Sequence, residues 1–294
     1  TPSPPGTLRG WVYPDVIVPY AVNGYAVISS NLVYYTSNIT ATAVAWTQLG
    51  AATSPPLPAA IQVAIDNGTP TFYVQTGSAS GQGPDQLWRF VDTLVGTWQQ
   101  VAPPGNVGGF GVVGVDPRNP NRLLVSHIRA GLDPAMMLTT DGGTTWTALT
   151  ALDNLMTGSG AFRYRNVRGA TDFTGFTGYP QPTLAAFDPE DTGNLVAGAA
   201  DAGLFVSIDG GTTWQVVTDP IAPGTSSVPH LPRPRYAYFD HDGSTLVTRV
   251  TNVYVGTQGR GVWRVSFTKW NNIVTVCVAN PRICRPPRLG RELI

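Results

Sequence analysis

Residues 139–146 have the sequence TTDGGTTW, and residues 207–214 repeat it as SIDGGTTW. The two copies are identical from the aspartate, Asp141 or Asp209, to the tryptophan. An aspartate carboxylate can accept hydrogen bonds from the backbone amides of a turn, and glycine reaches backbone conformations closed to other residues. The final tryptophan starts the next strand and buries a large apolar face. The pattern therefore predicts two equivalent hairpin turns.

A second repeated element is an apolar strand ending in an aspartate, followed by a turn and another apolar strand. It occurs at 62–77, 112–127, 185–199 and 236–250. Its aspartates are Asp66, Asp116, Asp188 and Asp240. Aspartate with Pro, Asn or Gly among the residues just after it favours a turn, so each copy predicts a strand–turn–strand unit.

The spacing of the tryptophans sets the number of repeats. Looser copies of the first pattern occur at 38–46 (NITATAVAW) and 92–98 (DTLVGTW), and residues 252–267 form a last unit without it. The tryptophans that mark the repeats are Trp46, Trp98, Trp146, Trp214 and Trp263. A four-stranded blade takes about 40 to 50 residues. The spacing predicts five blades, with an insertion of roughly 20 residues between the third and fourth.

Over roughly residues 20–268 the chain resembles the Asp-box (BNR-repeat) β-propellers, whose signature is S/T-x-D-x-G-x-T-W. The DPRNP turn (116–120) and the GRGVWR ending (259–264) resemble the sortilin, xyloglucanase and assembly-factor types more than the sialidases. The resemblance implies an all-β propeller of four-stranded blades, in which the box joins the third and fourth strands and is structural. The box residues are Thr139, Asp141, Gly143, Thr145, Trp146, Ser207, Asp209, Gly211, Thr213 and Trp214.

The two ends leave the number of blades open. Strand-like patterns occur at residues 8–22 and 270–279. One segment could complete the other's blade and so remove an exposed sheet edge. Six or seven blades are possible with end segments or a missing part of the chain. The expected organisation is a Pro-rich linker or processed N-terminus at 1–7, a propeller at 8–268 and a C-terminal tail at 269–294.

Composition excludes several classes of function. Only 12% of the residues are charged, the net charge is zero, and the chain has 33 glycines and 26 prolines. This mixture favours short strands and tight turns with almost no helix. A neutral chain lacks the basic face that nucleic-acid binding needs, and no apolar run reaches the roughly 18 residues of a membrane span. The first residue is Thr1 and the opening TPSPPG is Pro-rich, which suggests a processed or excised piece with a linker from an upstream domain. The expected location is secreted, periplasmic or at the cell surface.

Two cysteines, Cys277 and Cys284, lie close together near the C-terminus. We interpret them as a local disulfide, as expected in an oxidising compartment, with two unpaired thiols as the alternative. No histidine lies near them and there is no second cysteine pair, so a metal site is not expected. No cofactor is expected either.

The catalytic residues of known relatives are hard to place on this chain. A sialidase needs a glutamate to assist its tyrosine nucleophile, but the chain has only Glu190 and Glu292. A xyloglucanase-like inverting hydrolase needs two carboxylates about 6.5 to 9.5 Å apart. The aspartates outside the repeats are Asp15, Asp85, Asp133, Asp153, Asp172, Asp201 and Asp219, and nothing in the sequence pairs them. The segment Asp240–Gly243 (DHDG) is similar to the start of a calcium loop but lacks later ligands, so we expect a β-turn there.

The insertion, at about 153–181, is the expected partner-binding segment. Long loops without regular structure are often functional, and exposed aromatic side chains and arginines suit a glycan or a protein partner. The residues concerned are Arg163, Tyr164, Arg165, Arg168, Phe173, Phe176 and Tyr179. The alternative is that this segment only packs on the propeller. The sequence thus favours a non-catalytic binding module or structural subunit of an assembly, with a glycoside hydrolase as the alternative.

Overall fold

The computed structural model describes residues 17–50, 55–76, 86–91, 96–129, 132–157, 182–199, 202–217, 234–242, 249–257, 261–267 and 274–278. The chain divides into two compact units, residues 1–150 with 189–192, and residues 151–188 with 193–294.

The first unit contains three four-stranded sheets. The first sheet consists of β1 (Ile17–Pro19), β2 (Tyr25–Ser29), β3 (Leu32–Thr36) and β4 (Thr47–Gln48). The second sheet consists of β5 (Pro58–Asp66), β6 (Thr69–Thr76), β7 (Leu87–Val91) and β8 (Gln99–Val101). The third sheet consists of β9 (Asn106–Val115), β10 (Leu123–Arg129), β11 (Leu132–Thr139) and β12 (Thr147–Ala148).

The second unit contains two further four-stranded sheets. The fourth sheet consists of β13 (Pro182–Phe187), β14 (Leu195–Ala199), β15 (Gly203–Ser207) and β16 (Gln215–Val217). The fifth sheet consists of β17 (Pro234–Asp242), β18 (Val250–Thr257), β19 (Val262–Phe267) and β20 (Val274–Val278). One helix, α1 (Thr150–Thr157), follows the third sheet. Within the residues described, no helix is long and apolar enough to cross a membrane.

Every sheet is an antiparallel meander whose strands pair in chain order. Tight turns make this possible, as between β5 and β6, where Asn67 and Gly68 both have positive φ (48° and 82°). Asparagine and glycine tolerate this left-handed conformation, which matches the twist of the flanking strands. A four-stranded meander is the blade of a β-propeller. The predicted fold class, an all-β propeller with five recognisable four-stranded blades, is confirmed.

The cores lie between successive sheets of each unit. In the first unit Phe72 and Tyr73 are adjacent in β6, yet they belong to two different clusters because neighbouring side chains of a strand face opposite sides. Phe72 packs with Ile28 of the first sheet, and Tyr73 packs with residues of the third sheet such as Leu123. In the second unit the cluster joins the fourth and fifth sheets.

The tryptophans mark the sheets, although not all in the same way. Trp46, Trp98, Trp146 and Trp214 each stand one residue before the fourth strand of a sheet, β4, β8, β12 and β16. Trp263 instead lies inside β19, the third strand of the fifth sheet. Five blades was therefore the right number, but its fifth marker is not equivalent to the other four.

The strand–turn–strand units form the first two strands of the second to fifth sheets. Asp116 and Asp188 are buried and directly follow β9 and β13. Asp240 differs, because it lies inside β17 and pairs with Asn252 of β18. The prediction of a β-turn at 240–243 is wrong for residues 240–242, because these residues still belong to β17 and Asp242 pairs with Val250.

Among the described residues, the N-terminal and C-terminal strands belong to different sheets. The N-terminal segment contributes β1 to the first sheet, and β20 pairs with β19 in the fifth sheet. The described strands β1 and β20 therefore do not complete one another's blade, while residues 8–16 lie outside the described part. Strand β20 lies beyond the expected propeller end at residue 268, because its pairing with β19 supplies the fourth strand that the last blade would otherwise lack.

Two predicted features lie largely outside the described residues. Helix α1 includes residues 153–157 at the start of the expected insertion, and the rest of it up to 181 is not described. The backbone of Cys277 belongs to β20, whereas Cys284 lies outside the described residues, so the disulfide stays a prediction.

Candidate functional site

The turn at 139–146 joins β11 and β12, the third and fourth strands of the third sheet. The Thr145 amide and hydroxyl donate to the Asp141 carboxylate, at 2.9 and 2.6 Å, and the Thr139 hydroxyl donates to it at 2.8 Å. The Gly143 amide donates to the Thr139 hydroxyl, and the Trp146 indole donates to the Gly143 carbonyl. The carboxylate thus holds the loop closed from inside.

The turn at 207–214 joins β15 and β16 of the fourth sheet with the same bonds. The Thr213 amide and hydroxyl donate to Asp209, at 2.9 and 2.6 Å, and the Ser207 hydroxyl donates to it at 2.8 Å. The Trp214 indole donates to the Gly211 carbonyl. The aspartates of the two copies therefore occupy equivalent hairpin turns, and their oxygens are occupied by the turn itself.

These hydrogen bonds shift the acidity of both aspartates. The Thr145 hydroxyl and amide and the Thr139 hydroxyl stabilise the charged form and lower the pKa of Asp141 to about 2. Burial acts in the opposite direction on Asp209, but the bonds from Thr213 and Ser207 together outweigh it and lower its pKa. Both groups are ionised at neutral pH, so neither can supply the proton that a glycosidic general acid must give.

A buried cluster that the sequence analysis did not find lies in the second unit. His241 Nε2 is 2.8 Å from Asp188 Oδ2, and their side chains are 6% and 0% exposed. The Asn194 amide also donates to Asp188, at 3.0 Å. The equivalent Asp116 of the first unit instead pairs with Arg122, whose Nη1 is 3.4 Å away. Asp188 and His241 are 53 residues apart, so no local pattern could have joined them.

The carboxylates required by the hydrolase alternative fall mostly outside the described residues. Of the seven aspartates outside the repeats, Asp153 lies in helix α1 and only the backbone of Asp133 is described, in β11. The other five are not described. Glu190 is exposed in a turn, as the sequence suggests. No group of three or more His, Cys, Asp or Glu side chains in the described part of the chain could hold a metal ion.

The outward face of the fifth sheet carries the largest exposed aromatic side chains of the described residues. Strand register places three rows across β17, β18 and β19 on this face. The rows are Tyr236–Gly256–Val262, Tyr238–Tyr254–Arg264 and Asp240–Asn252–Ser266. We call this surface the tyrosine face.

The tyrosine face is open to solvent. Tyr236, Tyr238 and Val262 are 58%, 56% and 53% exposed. The rings of Tyr238 and Tyr254 lie side by side, with centroids 6.4 Å apart and planes tilted by 41°. The opposite face of the same sheet, with residues such as Phe239 and Val253, is buried against the fourth sheet. The fifth sheet therefore has one packed face and one free aromatic face.

The sequence contains a signal for the tyrosine face. In YAYFDHD (236–242) the tyrosines alternate with residues expected to be buried, which is the period of a strand with one face in the core. The same stretch is also a strand–turn–strand unit, which hides this signal. The predicted partner-binding residues, from Arg163 to Tyr179 in the insertion, lie outside the described part.

The chain has similar proteins both in sequence and among solved structures. No protein-family model matches the chain. A xyloglucanase from Paenibacillus sp is 31% identical over 193 residues, which are 60% of this chain and 17% of that protein. The chain therefore spans less than a fifth of the length of that relative.

Solved structures with a similar fold include three β-propellers of different kinds. The GH74 xyloglucanase from Xanthomonas campestris has a TM-score of 0.48 at 17% identity, covering 88% of this chain and 37% of that one. YCF48 from Cyanidioschyzon merolae has a TM-score of 0.49 at 15% identity, with 88% and 69% covered. The six-bladed lectin of Aleuria aurantia has a TM-score of 0.43 at 12% identity, with 87% and 72% covered. The chain is thus similar in sequence to part of a xyloglucanase.

Proposed function

We propose that this protein is a non-catalytic, secreted, periplasmic or cell-surface propeller of the Asp-box type, which binds a glycan or protein partner. The observation that carries the proposal is the tyrosine face, because large exposed aromatic surfaces on a soluble domain mark interaction sites. Tyrosine suits such a site, since it offers an apolar ring and a polar tip. The insertion at 153–181, with its arginines and aromatic residues, is proposed as a second part of the partner surface.

Binding and turnover measured on the same samples test the proposal. The purified chain is run by affinity electrophoresis in gels containing xyloglucan, mixed-linkage β-glucan or xylan, and sugar release from each polysaccharide is followed in parallel. We expect retardation without release. Robust release that one Asp→Asn change outside the two turns abolishes would contradict the non-catalytic assignment.

The second candidate function is a glycoside hydrolase acting on a polysaccharide. The observation that favours it is the 31% identity with a xyloglucanase. Asp153→Asn and Asp133→Asn are the first variants to make, because these two aspartates belong to described elements, α1 and β11. Asp141→Asn is the control for a carboxylate already occupied by a turn. A hydrolase would lose activity in a variant outside the turns and keep it in the control.

A further inference from the structure

The tyrosine face has a composition unlike that of a sheet face that packs on another sheet. The buried face of the same sheet is made of aliphatic and aromatic residues such as Phe239, Val253 and Val265. The outward rows instead combine tyrosines with an arginine, an aspartate, an asparagine and a serine. A surface that has to be covered by another sheet would leave these polar groups without water, at a cost for each one left unpaired. The occupant must therefore offer hydrogen-bonding groups as well as apolar surface.

Gly256 leaves a shallow trough in the tyrosine face. It stands between Tyr236 and Val262 in the first row, and adjacent strands are about 4.8 Å apart, so the two flanking residues are about 10 Å apart. A Cβ added at Gly256 would meet only Tyr236 Cβ, at 3.6 Å, which is an ordinary contact. The trough is thus the width of a flat ring and is not needed for packing the sheet.

Hydrogen-bonding groups lie in the third row of the tyrosine face, about 13 Å along β18 from the trough. The Ser266 hydroxyl donates to Asn252 Oδ1 at 2.6 Å, which orients the amide and leaves its Nδ2 hydrogens available. Asp240 is exposed in the same row and accepts no hydrogen bond from the residues described. The tyrosine hydroxyls of the neighbouring rows are likewise available. The tyrosine face therefore combines aromatic rings with hydrogen-bond donors and acceptors.

We infer that the tyrosine face binds an extended, uncharged polysaccharide, with a sugar ring seated in the trough over Gly256. This inference rests on the proposed binding function and names its ligand class. The C–H face of that sugar ring packs on the Tyr236 ring. The next units of the polysaccharide pass over Tyr238 and Tyr254, and hydroxyls of a unit about 13 Å further along bond to the Asn252 amide and the Asp240 carboxylate. Tyr236 and Tyr238 are two residues apart in β17, about 7 Å along the strand, so the face contacts more than one sugar unit. The face carries one acidic group, Asp240, and one basic group, Arg264, so it has no net charge to attract glycans that carry carboxylates or sulfates.

Filling the trough tests the inference without removing an aromatic ring. Gly256→Val places a strand-favouring side chain where a Cβ has room, so the protein should fold normally while polysaccharide affinity falls about tenfold or more. Tyr238→Ala should weaken binding by a similar factor. Tyr34→Ala, which removes a half-buried tyrosine of the first sheet, is the matched control and should bind as the wild type. Thermal unfolding of each variant identifies any that fails to fold, and Tyr238→Phe, which keeps the ring, should retain most of the affinity.

The probes are xyloglucan, mixed-linkage β-glucan and xylan as uncharged chains, with polygalacturonate as the anionic one. Binding of an uncharged chain that Gly256→Val and Tyr238→Ala both reduce supports the inference. Binding unchanged in both variants, preference for polygalacturonate, or no binding of any uncharged chain would overturn it. These outcomes leave the non-catalytic assignment standing, because that assignment fails only if sugar release is detected in the same samples.

Discussion

At the scale of single residues, the two aspartate turns show how a short polar sequence closes a hairpin. Asp141 and Asp209 each accept bonds from a threonine four residues later and from the hydroxyl two residues earlier. Hydrogen bonds to a charged acceptor are stronger than neutral ones, so a single carboxylate can order the whole loop. This arrangement explains why the motif repeats without taking part in chemistry.

The depressed pKa of Asp141 predicts an acid-dependent contribution to stability. The pKa falls from 3.8 to about 2 on folding, so the contribution is complete above about pH 4 and is lost as the pH falls to 2. We expect the thermal midpoint of the wild type to drop over this range more steeply than that of Asp141→Asn. Asp242→Asn, which changes an exposed aspartate, is the control and should follow the wild type. Parallel curves for wild type and Asp141→Asn would contradict the prediction.

Tyr73 predicts a second residue-scale effect. Its hydroxyl is buried and donates to the Pro120 carbonyl, and burial raises its pKa to about 12, with Arg89 acting in the opposite direction. Tyr73→Phe leaves that carbonyl unsatisfied and should cost about 1 to 3 kcal/mol in a denaturant titration. Tyr34→Phe, at a half-buried position, should cost less than about 0.5 kcal/mol.

The same tyrosine gives a readout at high pH. A raised pKa stabilises the fold below the unfolded value near 10, and that stability is lost as the pH rises toward 12. The loss between pH 10 and 12 should be smaller in Tyr73→Phe than in the wild type. An equal loss in both proteins would show that Tyr73 ionises freely in the folded state.

At the scale of elements, substitutions at two turn glycines distinguish the cost of backbone strain from the cost of a steric overlap. Gly143 has φ of 95° and Gly68 has φ of 82°, so an added side chain is strained at both positions. A Cβ at Gly143 would also overlap the Val101 side chain, whereas nothing lies within 4 Å of one at Gly68. Gly68→Ala should therefore cost about 1 kcal/mol, and Gly143→Ala at least about 1 kcal/mol more. Equal losses in chemical denaturation would mean that the turn can move away from Val101.

The end of the fifth sheet carries the disulfide prediction. Cys277 belongs to β20, which pairs with β19, so a bridge to Cys284 would tie the following segment to the last blade. Closing such a short loop contributes about 2.5 kcal/mol by chain entropy. We expect the native protein to resist alkylation without reductant, and Cys284→Ser to become alkylated and to unfold earlier. Two alkylated thiols in freshly purified wild type would contradict the bridge.

At the scale of the whole molecule, two surfaces are proposed for one binding function, and their contributions can be separated. Replacing Arg163, Arg165 and Arg168 by Ala should leave the thermal midpoint nearly unchanged and weaken binding if the insertion meets the partner. If the two surfaces act independently, the losses of binding free energy caused by the triple change and by Gly256→Val should add in the combined variant. Normal binding by the triple variant would make the insertion a structural clamp, with the tyrosine face as the remaining site.

The local features of the fold could be read from the sequence because each rests on contacts within a few residues. The turns at 139–146 and 207–214 close on hydrogen bonds between residues two to four positions apart, and the meanders join strands that follow one another in the chain. The number of blades could be predicted for the same reason. The marker Trp263 was misplaced, since a tryptophan in the third strand has the same spacing as one before the fourth.

What depended on distant contacts could be decided only by the tertiary structure. Asp188 meets His241 across 53 residues, and β20 adds to the fifth sheet rather than to the first. The alternation in β17 divides its residues between two faces, but only packing against the fourth sheet shows which face is buried and which leaves Tyr236 and Tyr238 exposed. Turn formation and the alternation of a strand depend on neighbouring residues, so the sequence shows them directly. Burial depends on which elements pack together, and only the folded chain shows that.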